Sequence, residues 1–308
     1  MSKTEKWAVI LNPTAGNGFA GKNADYFKSR FKEYGVDAEW AITSKKGDGS
    51  ILSERFAKDG FTHIIGIGGD GTMNEIAAPL VGNKDITLGL IAAGTGNDFI
   101  QILGFPGRFK DEDWNAFFRG ETRRMDVGYC NNRPFLNGMG LGFDAQVAAA
   151  NYHEGGEVKK GGKDKYLWHI LTTLMFFREK KVVMNTGNGD FGSDCFMNTV
   201  SIGRRFAGGF YLTPKAIADD GLLDVCNIKR LSIPRRLKIL TMVPKGTHLK
   251  DRRVNYYQTD NIRIEFPGKV PFHVDGELFF DQIFNISLKQ KAVNFIYNSD
   301  GQHFFQRR

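Results

Sequence analysis

Glycine-rich turns that carry a carboxylate or a small polar side chain recur through the first part of the chain. Turns of this kind suit phosphate, because glycine lets backbone N–H groups approach an anion at a helix N-terminus. The first is 9-VILNPTAGNGFAGKN-23. Gly16, four residues, Gly21 and Lys22 nearly spell the phosphate loop G-x-x-x-x-G-K-[S/T], but Asn23 stands where a hydroxyl would bind magnesium. The strongest is 62-THIIGIGGDGTMNEIAA-78, in which an apolar strand pattern runs into a glycine cluster and then a helix. Gly66, Gly68 and Gly71 satisfy G-x-G-x-x-G, yet the next strand, 86-ITLGLIAAG-94, ends without the acidic residue that would hold a dinucleotide's ribose. The NAD-binding Rossmann reading is therefore set aside. What remains is Asp70 between Gly69 and Gly71. A carboxylate there would repel phosphate unless it held magnesium or took a proton from an acceptor. A plain N-cap for the helix starting near Thr72 explains it equally well. A third turn, 92-AAGTGNDF-99, offers Thr95, Asn97 and Asp98, and 123-RRMDVG-128 places Asp126 where the texture of the sequence changes.

These residues need a scaffold that brings separate turns to one edge. Strand-like runs at 6–11, 36–42, 62–67 and 86–91 alternate with helix-like stretches at 21–34, 50–58 and 72–80. Tyr26, Phe27, Phe31 and Tyr34 sit at helical spacing and read as one buried face, with Gly21 and Lys22 opening their helix. Ser50 reads as the N-cap of the next helix. Strand–helix alternation predicts a parallel sheet covered on both faces, which binds ligands beyond the carboxyl ends of its strands. After Asp126 come short β-rich runs at 182–185, 196–202, 222–228, 261–266, 271–274 and 283–288, separated by turns such as 185-NTGNGDFGSD-194. They predict an antiparallel sandwich or barrel with one helical insertion at 233–243. The expected division is 1–126, with 293–308 placed to return to it, and 127–292.

The 308 residues carry a net charge of +8 and a pI of about 9.3, which favours anionic partners and equally suits simple solubility. Basic residues recur at Lys159-Lys160, Arg178 to Lys181, Arg235-Arg236-Lys238 and Lys250 to Arg253, mixed with apolar ones, so no basic tail exists. Net charge is the sole support for nucleic-acid binding, which is not expected. Cys130, Cys195 and Cys226 are far apart and read as small buried hydrophobes, without zinc spacing or a disulfide framework. No signal peptide is evident, and the longest apolar run, 168-WHILTTLMFF-177, falls short of the ~18 residues needed to span a bilayer. A reduced, cytoplasmic protein is expected. The region 229–257 is basic and aromatic-bearing. It could rest on anionic lipid at the inner membrane face or pack as an ordinary helix on its own domain, with Ile233, Leu237 and Leu240 opposite Arg235, Arg236 and Lys238.

The elements NPTAGNG, GGDGTMNE and AAGTGNDF, followed in order by 137-NGMGLGFDAQV-147, 214-PKAIADDGLLDV-225 and 273-HVDGEL-278, resemble the diacylglycerol kinase catalytic-domain family, which includes bacterial lipid kinases and sphingosine kinases. GGDGT alone is shared with NAD kinases and phosphofructokinases; the later elements make the lipid-kinase resemblance specific. It implies an α/β nucleotide-binding domain, a β-sandwich domain that takes the lipid, and ATP in the cleft between them. It places Asn12, Pro13, Thr14, Ala15, Gly16, Thr43, Gly69, Asp70, Gly71, Thr72, Met73, Asn74, Glu75 and Thr95 around ATP. Asp70, Asp98 and Asp126 would form an acidic network holding water and magnesium (Mg2+), with Asp70 also catalytic. A structural metal would take the carbonyls of Ile217 and Leu222 and the side chain of Asp220, although the family usually has a basic residue at position 217. Glu277 resembles the family's proton acceptor, and Asp275 remains a second candidate; two residues apart in one strand, they would point the same way.

The implied activity is transfer of the γ-phosphoryl group of ATP to a lipid hydroxyl, with diacylglycerol the favoured acceptor. Sphingoid bases, ceramide or another lipid are alternatives. An NAD kinase-like enzyme and a catalytically silent nucleotide- or lipid-binding regulator are the rivals. A lipid substrate at a membrane surface and a homodimer are both compatible with the sequence.

Overall fold

A computed structural model of the chain describes residues 5–150, 163–186 and 190–306, with the backbone alone at 163–167 and 190–191. The Lys159-Lys160 pair, the tip of the 185–194 turn and the last two residues lie outside the described residues. Two compact units form: Met1–Val127 with Ile217–Gly221 and Lys289–Arg308, and Gly128–Ala216 with Leu222–Leu288. The short segment Ile217–Gly221, which the sequence puts in the second domain, belongs to the first unit.

The first unit is built on a parallel sheet of β1 (Trp7–Leu11), β2 (Ala38–Ile42), β3 (His63–Gly68) and β4 (Thr87–Ala92). Its order is β2-β1-β3-β4, and residues 294–295 near the end of the chain's last strand pair with β4, also parallel. β1 is buried throughout and β3 and β4 nearly so, as continuous apolar strands covered on both faces must be. Helices α1 (Ala15–Lys22), α2 (Ala24–Glu33), α3 (Asp48–Lys58), α4 (Asp70–Ala77) and α5 (Asp111–Arg119) follow in turn. The single helix expected over 21–34 is two, joined at Asn23. Of its four aromatics only Phe27 and Phe31 are buried. Tyr26 is exposed and its hydroxyl accepts from Trp114 Nε1–H at 3.2 Å, and the half-buried Tyr34 donates its hydroxyl to Asn115 Oδ1 at 2.5 Å. The hydroxyls keep both rings at the surface, where a polar tip can be satisfied.

β5 (Thr122–Cys130) leads out of the first unit. The second contains β6 (Arg133–Phe135), β7 (Gly138–Gly142), α6 (Phe143–Ala150), α7 (Lys163–Phe176), β8 (Lys180–Asn185), β9 (Asp190–Ser201), β10 (Leu223–Lys229), α8 (Ile233–Met242), β11 (Val254–Thr259), β12 (Asn261–Val274) and the first part of β13 (Glu277–Ile296). Among its described residues the strands run in the order β11-β10-β9-β7-β12-β13, with β8 against β9 and β12, and these pairs are antiparallel. The runs expected at 261–266 and 271–274 are one strand. Pro267 lies where the β12–β13 register shifts, between Glu265 and Val270, so its missing N–H breaks no regular ladder. Beyond the one helix expected, α6 and α7 also form. They join α8 over one core containing Phe143, Val147, Ile170, Leu174, Phe196, Met197, Cys226, Ile228 and Ile239. All three cysteines are buried and free, and burial pushes the Cys130 thiol up to about 12. Among the described residues no helix is long and apolar enough to cross a membrane.

Candidate active site

β1, β3 and β4 end at one edge of the parallel sheet, with Leu11 beside Ile67 and Ile67 beside Ile91. Their three outgoing loops therefore start side by side, and side chains stitch them together. Asn12 Nδ2 donates to Thr72 Oγ1 at 3.0 Å, while Asn12 Oδ1 accepts from the N–H and hydroxyl of Thr14 at 3.1 and 2.8 Å. Asp70 is the first residue of α4 and does not cap it; Gly69 holds the N-cap position. Instead Asp70 Oδ2 accepts from Asp98 N–H and Oδ1 from Phe99 N–H, each at 3.0 Å. One carboxylate thus binds the β3 loop to the β4 loop. The two backbones also touch closely, since a Cβ on Gly94 would lie 2.5 Å from Gly69 Cα.

In the first loop Gly16, Asn17 and Gly18 all take left-handed backbone, at φ of 61°, 57° and 85°, which only glycine and asparagine adopt readily. A Cβ on Gly16 would also collide with Ala93 O. Gly21 and Lys22 end α1 and open no helix, because Asn23 Nδ2 donates to Phe19 O at 2.8 Å and closes that turn. Pro13 O accepts from Gly21 N–H at 3.1 Å, and Ala15 begins α1. Thr14, Gly71 and Thr95 are exposed at the rim.

Other expected ATP contacts have structural work. Met73 is fully buried, so its side chain belongs to the core. Asn74 is half-buried on α4. Glu75 accepts from Gly47 N–H at 3.0 Å and Gly49 N–H at 3.2 Å, which places its negative charge at the N-terminus of α3. That helix starts at Asp48, with Gly47 and not Ser50 at the N-cap; Ser50 Oγ donates to Glu75 O at 2.8 Å. Thr43, at the end of β2, is buried and donates its N–H to Leu11 O at 3.0 Å. Arg108 escaped the sequence reading. Its guanidinium donates to Ala92 O and Gly94 O and lies over the Phe19 ring at 4.2 Å, so it fixes the start of the β4 loop. A lone arginine in a Pro-Gly loop carries no local signal of that.

The acidic network falls into two bonded groups. Asp126, fully buried, accepts from Gly221 N–H and Lys291 N–H, each at 2.7 Å, and its own N–H donates to Ala218 O at 2.9 Å. Burial holds its carboxyl above the ordinary range against those two donors, and Asp220 and Asp219 push the same way. Arg123 neutralises Asp219 at 2.6 Å. Among the described residues no three Asp, Glu, His or Cys side chains converge as a metal cage. A set of the Ile217 and Leu222 carbonyls with Asp220 would be oxygen-only and would need waters to complete it, the kind of set that suits magnesium.

In the second unit Asp275 and Gly276 are the two-residue turn between β12 and β13, at φ of 44° and 86°, the pattern of a type I′ hairpin. Asp275 and Glu277 therefore do not share a strand. Asp275 accepts from three backbone N–H groups, Leu136 at 2.7 Å, Asn137 at 3.1 Å and Gly138 at 2.8 Å, and returns its own N–H to Gly138 O at 2.9 Å. It anchors the turn. Glu277 opens β13, paired with Val274. His273 Nε2 and Asp144 Oδ2 meet at 3.2 Å across Gly140, where a Cβ would collide with both. Asp144 lies in the NGMGLGFDAQV stretch, which was the available signal for it.

The diacylglycerol kinase catalytic domain family matches residues 6–130, and the YegS C-terminal NAD kinase beta sandwich-like domain matches residues 138–296. The chain is 26% identical over 273 residues to the diacylglycerol kinase of Bacillus subtilis (strain 168), covering 87% of this chain and 88% of that one. It is 26% identical over 287 residues to the "Probable lipid kinase YegS-like" protein of Shewanella frigidimarina (strain NCIMB 400), covering 91% of each. A solved structure from Bacillus anthracis str. Sterne superposes with a TM-score of 0.79 at 24% identity, covering 97% of this chain and 99% of that chain. A second from the same organism, described as a diacylglycerol kinase, gives 0.73 at 22%, covering 98% and 100%. At those identities the likeness speaks for the fold.

Proposed function

The chain belongs to the diacylglycerol kinase catalytic-domain family, with a C-terminal domain of the YegS type, and from that premise we propose that it transfers the γ-phosphoryl group of ATP to the free hydroxyl of diacylglycerol. The observation that carries this reading is the edge where the loops after β1, β3 and β4 are bonded into one surface by Asn12–Thr72 and by Asp70 with Asp98 and Phe99. Pre-fixed backbone donors are what phosphoryl transfer asks of a protein, since the chemistry is mostly positioning and charge stabilisation. In the proposed step the lipid hydroxyl oxygen bonds to the γ-phosphorus as its bond to the β–γ bridging oxygen breaks. ADP leaves with that electron pair, and the hydroxyl proton passes to the Glu277 carboxylate. Asp275 is the weaker candidate, because taking a proton would disrupt its three N–H bonds. Asp70 with Asp98 would hold a magnesium ion near the phosphates and Asp220 with its two carbonyls a structural one; the ion's chemistry is neutralisation of phosphate charge.

The test is labelled ATP and magnesium with a panel of diacylglycerol, sphingosine, ceramide and NAD, and Glu277→Gln as control. Labelled phosphatidic acid is the expected product. Phosphate on sphingosine or NAD alone would replace the acceptor, and ATP binding without transfer to any of them would sink the kinase reading.

A further inference from the structure

Helix α7 buries Ile170 and Leu174 in the core it shares with α8 and leaves Trp168, Leu171, Met175 and Phe176 outside. Trp168 is 65% exposed and Phe176 83%. Trp168, Leu171 and Met175 are three and four residues apart, so they line one side of the helix, with Phe176 flanking them. α8 repeats the arrangement: Ile239 points into the core, while Ile233 and Leu237, four apart, are exposed. Both helices pack on that one core, so both outer faces look away from it. Arg236 joins them, buried, with its guanidinium donating to Leu174 O and Phe177 O and paired with Glu179 at 2.7 Å. Scattered exposed apolar residues need no explanation, but six on one helix pair do.

Charge says what covers them. Residues 168–183 and 229–253 hold twelve Lys and Arg against two acids, a net of +10, while the whole chain carries +8 and the remainder is slightly negative. Both acids are already paired, Glu179 with Arg236 and Asp251 with Arg235 at 3.0 Å. Arg178, Lys180, Lys181, Arg230 and Lys238 are exposed. A second copy would bring like charge against like. An anionic bilayer takes both features, with apolar side chains below the headgroups and cations among them. We propose that the outer face of α7 and α8 docks the protein on an anionic lipid bilayer, with Trp168 and Phe176 inserted. The proposal rests on the lipid-kinase reading for why the protein should meet a bilayer; the surface itself is argued from exposure and charge.

The full-length protein is mixed with vesicles of phosphatidylcholine alone or with phosphatidylglycerol, sedimented, and its tryptophan emission read. Binding is expected with the anionic vesicles only, weakening as salt rises. A blue shift, quenched by brominated acyl chains, is expected and should vanish in Trp168→Ser, because Trp7 and Trp114 are buried and the half-buried Trp40 packs against Phe31 in the first unit. Trp168→Ser with Phe176→Ser should weaken binding at least tenfold, and Lys180→Ala with Lys181→Ala about fivefold per cation. Unchanged vesicle affinity in the Trp168/Phe176 variant overturns the proposal. So does an oligomer that this variant dissolves in a protein that ignores vesicles, which would assign the face to a second copy. Turnover of short-chain diacylglycerol in detergent micelles separates the two readings. Docking variants should keep it, whereas vesicle binding without turnover of any lipid would sink the kinase reading and leave the docking face standing.

Discussion

At Asp275 a proton taken from an acceptor would disturb hydrogen bonds from Leu136, Asn137 and Gly138, all backbone donors held by the fold. Replacing that carboxylate strands the donors. Asp275→Ala is therefore expected to lower unfolding stability by about 3 kcal/mol in denaturant titration. Glu277→Gln should unfold at the wild-type midpoint while turnover falls about 10²–10⁴-fold. Equal losses of stability in the two variants would reverse the roles. Asp70 combines both kinds of work. An amide there presents a donor to one of two N–H groups, so Asp70→Asn should cost about 1–3 kcal/mol in addition to activity. A variant with unchanged thermal stability would show that the Asp98 and Phe99 contacts matter little.

Helix termini are where this chain joins its elements. The last carbonyls of α7 have no partner within their own helix, and Arg236 of α8 supplies one from 62 residues away in sequence, with its charge at the favourable end of the helix dipole. Sequence periodicity puts Arg236 on the polar face opposite Ile233 and Leu237. The structure buries it and exposes them, because the carbonyls at the end of α7 require a buried donor more than the core requires two further aliphatics. Arg236→Met should destabilise by about 3–5 kcal/mol in urea, since it leaves Glu179 and the carbonyls unpaired. Arg236→Lys should recover part of that, keeping the charge without the planar fork. Full stability in Arg236→Met would mean water serves as well.

Across the whole molecule, buried titratable groups set how stability follows pH. His248 is completely buried, and burial lowers its pKa below the ordinary value of 6.5 against the pull of the Leu212 carbonyl. The unfolded chain then binds more protons than the folded one. The contribution of His248 is fully present above about pH 6.5 and is lost as pH falls toward the lowered folded value. Unfolding midpoints should therefore drop between about pH 7 and pH 5, and His248→Gln should flatten that slope; an unchanged slope would point to other groups. Asp126 has the opposite sign. Its raised carboxyl favours the folded state below the ordinary carboxylate value and disfavours it as pH rises through the folded one. A cation beside it would offset that penalty. Magnesium should accordingly raise the melting temperature near pH 7, and Asp220→Asn should abolish the rise. No magnesium effect in the wild type would remove the metal from the 217–221 loop.

The sequence alone determined the four parallel strands, because continuous apolar runs alternating with helical periods are local signals. It also determined that the turns after β1, β3 and β4 are glycine-rich and polar, and the order of motifs sufficed to reach the family. Partners separated by long stretches of chain were decided only by the tertiary structure. Asp70 ties two loops, Glu75 sits at the start of α3, Asp275 anchors a turn to residues 136–138, and Ile217–Gly221 belongs with the first unit. Spacing along the chain says which residues can share a face, but which buried N–H or carbonyl a distant side chain must satisfy is fixed by packing. For that reason the carboxylates were legible in the sequence and their division into anchors and candidate catalytic groups was not.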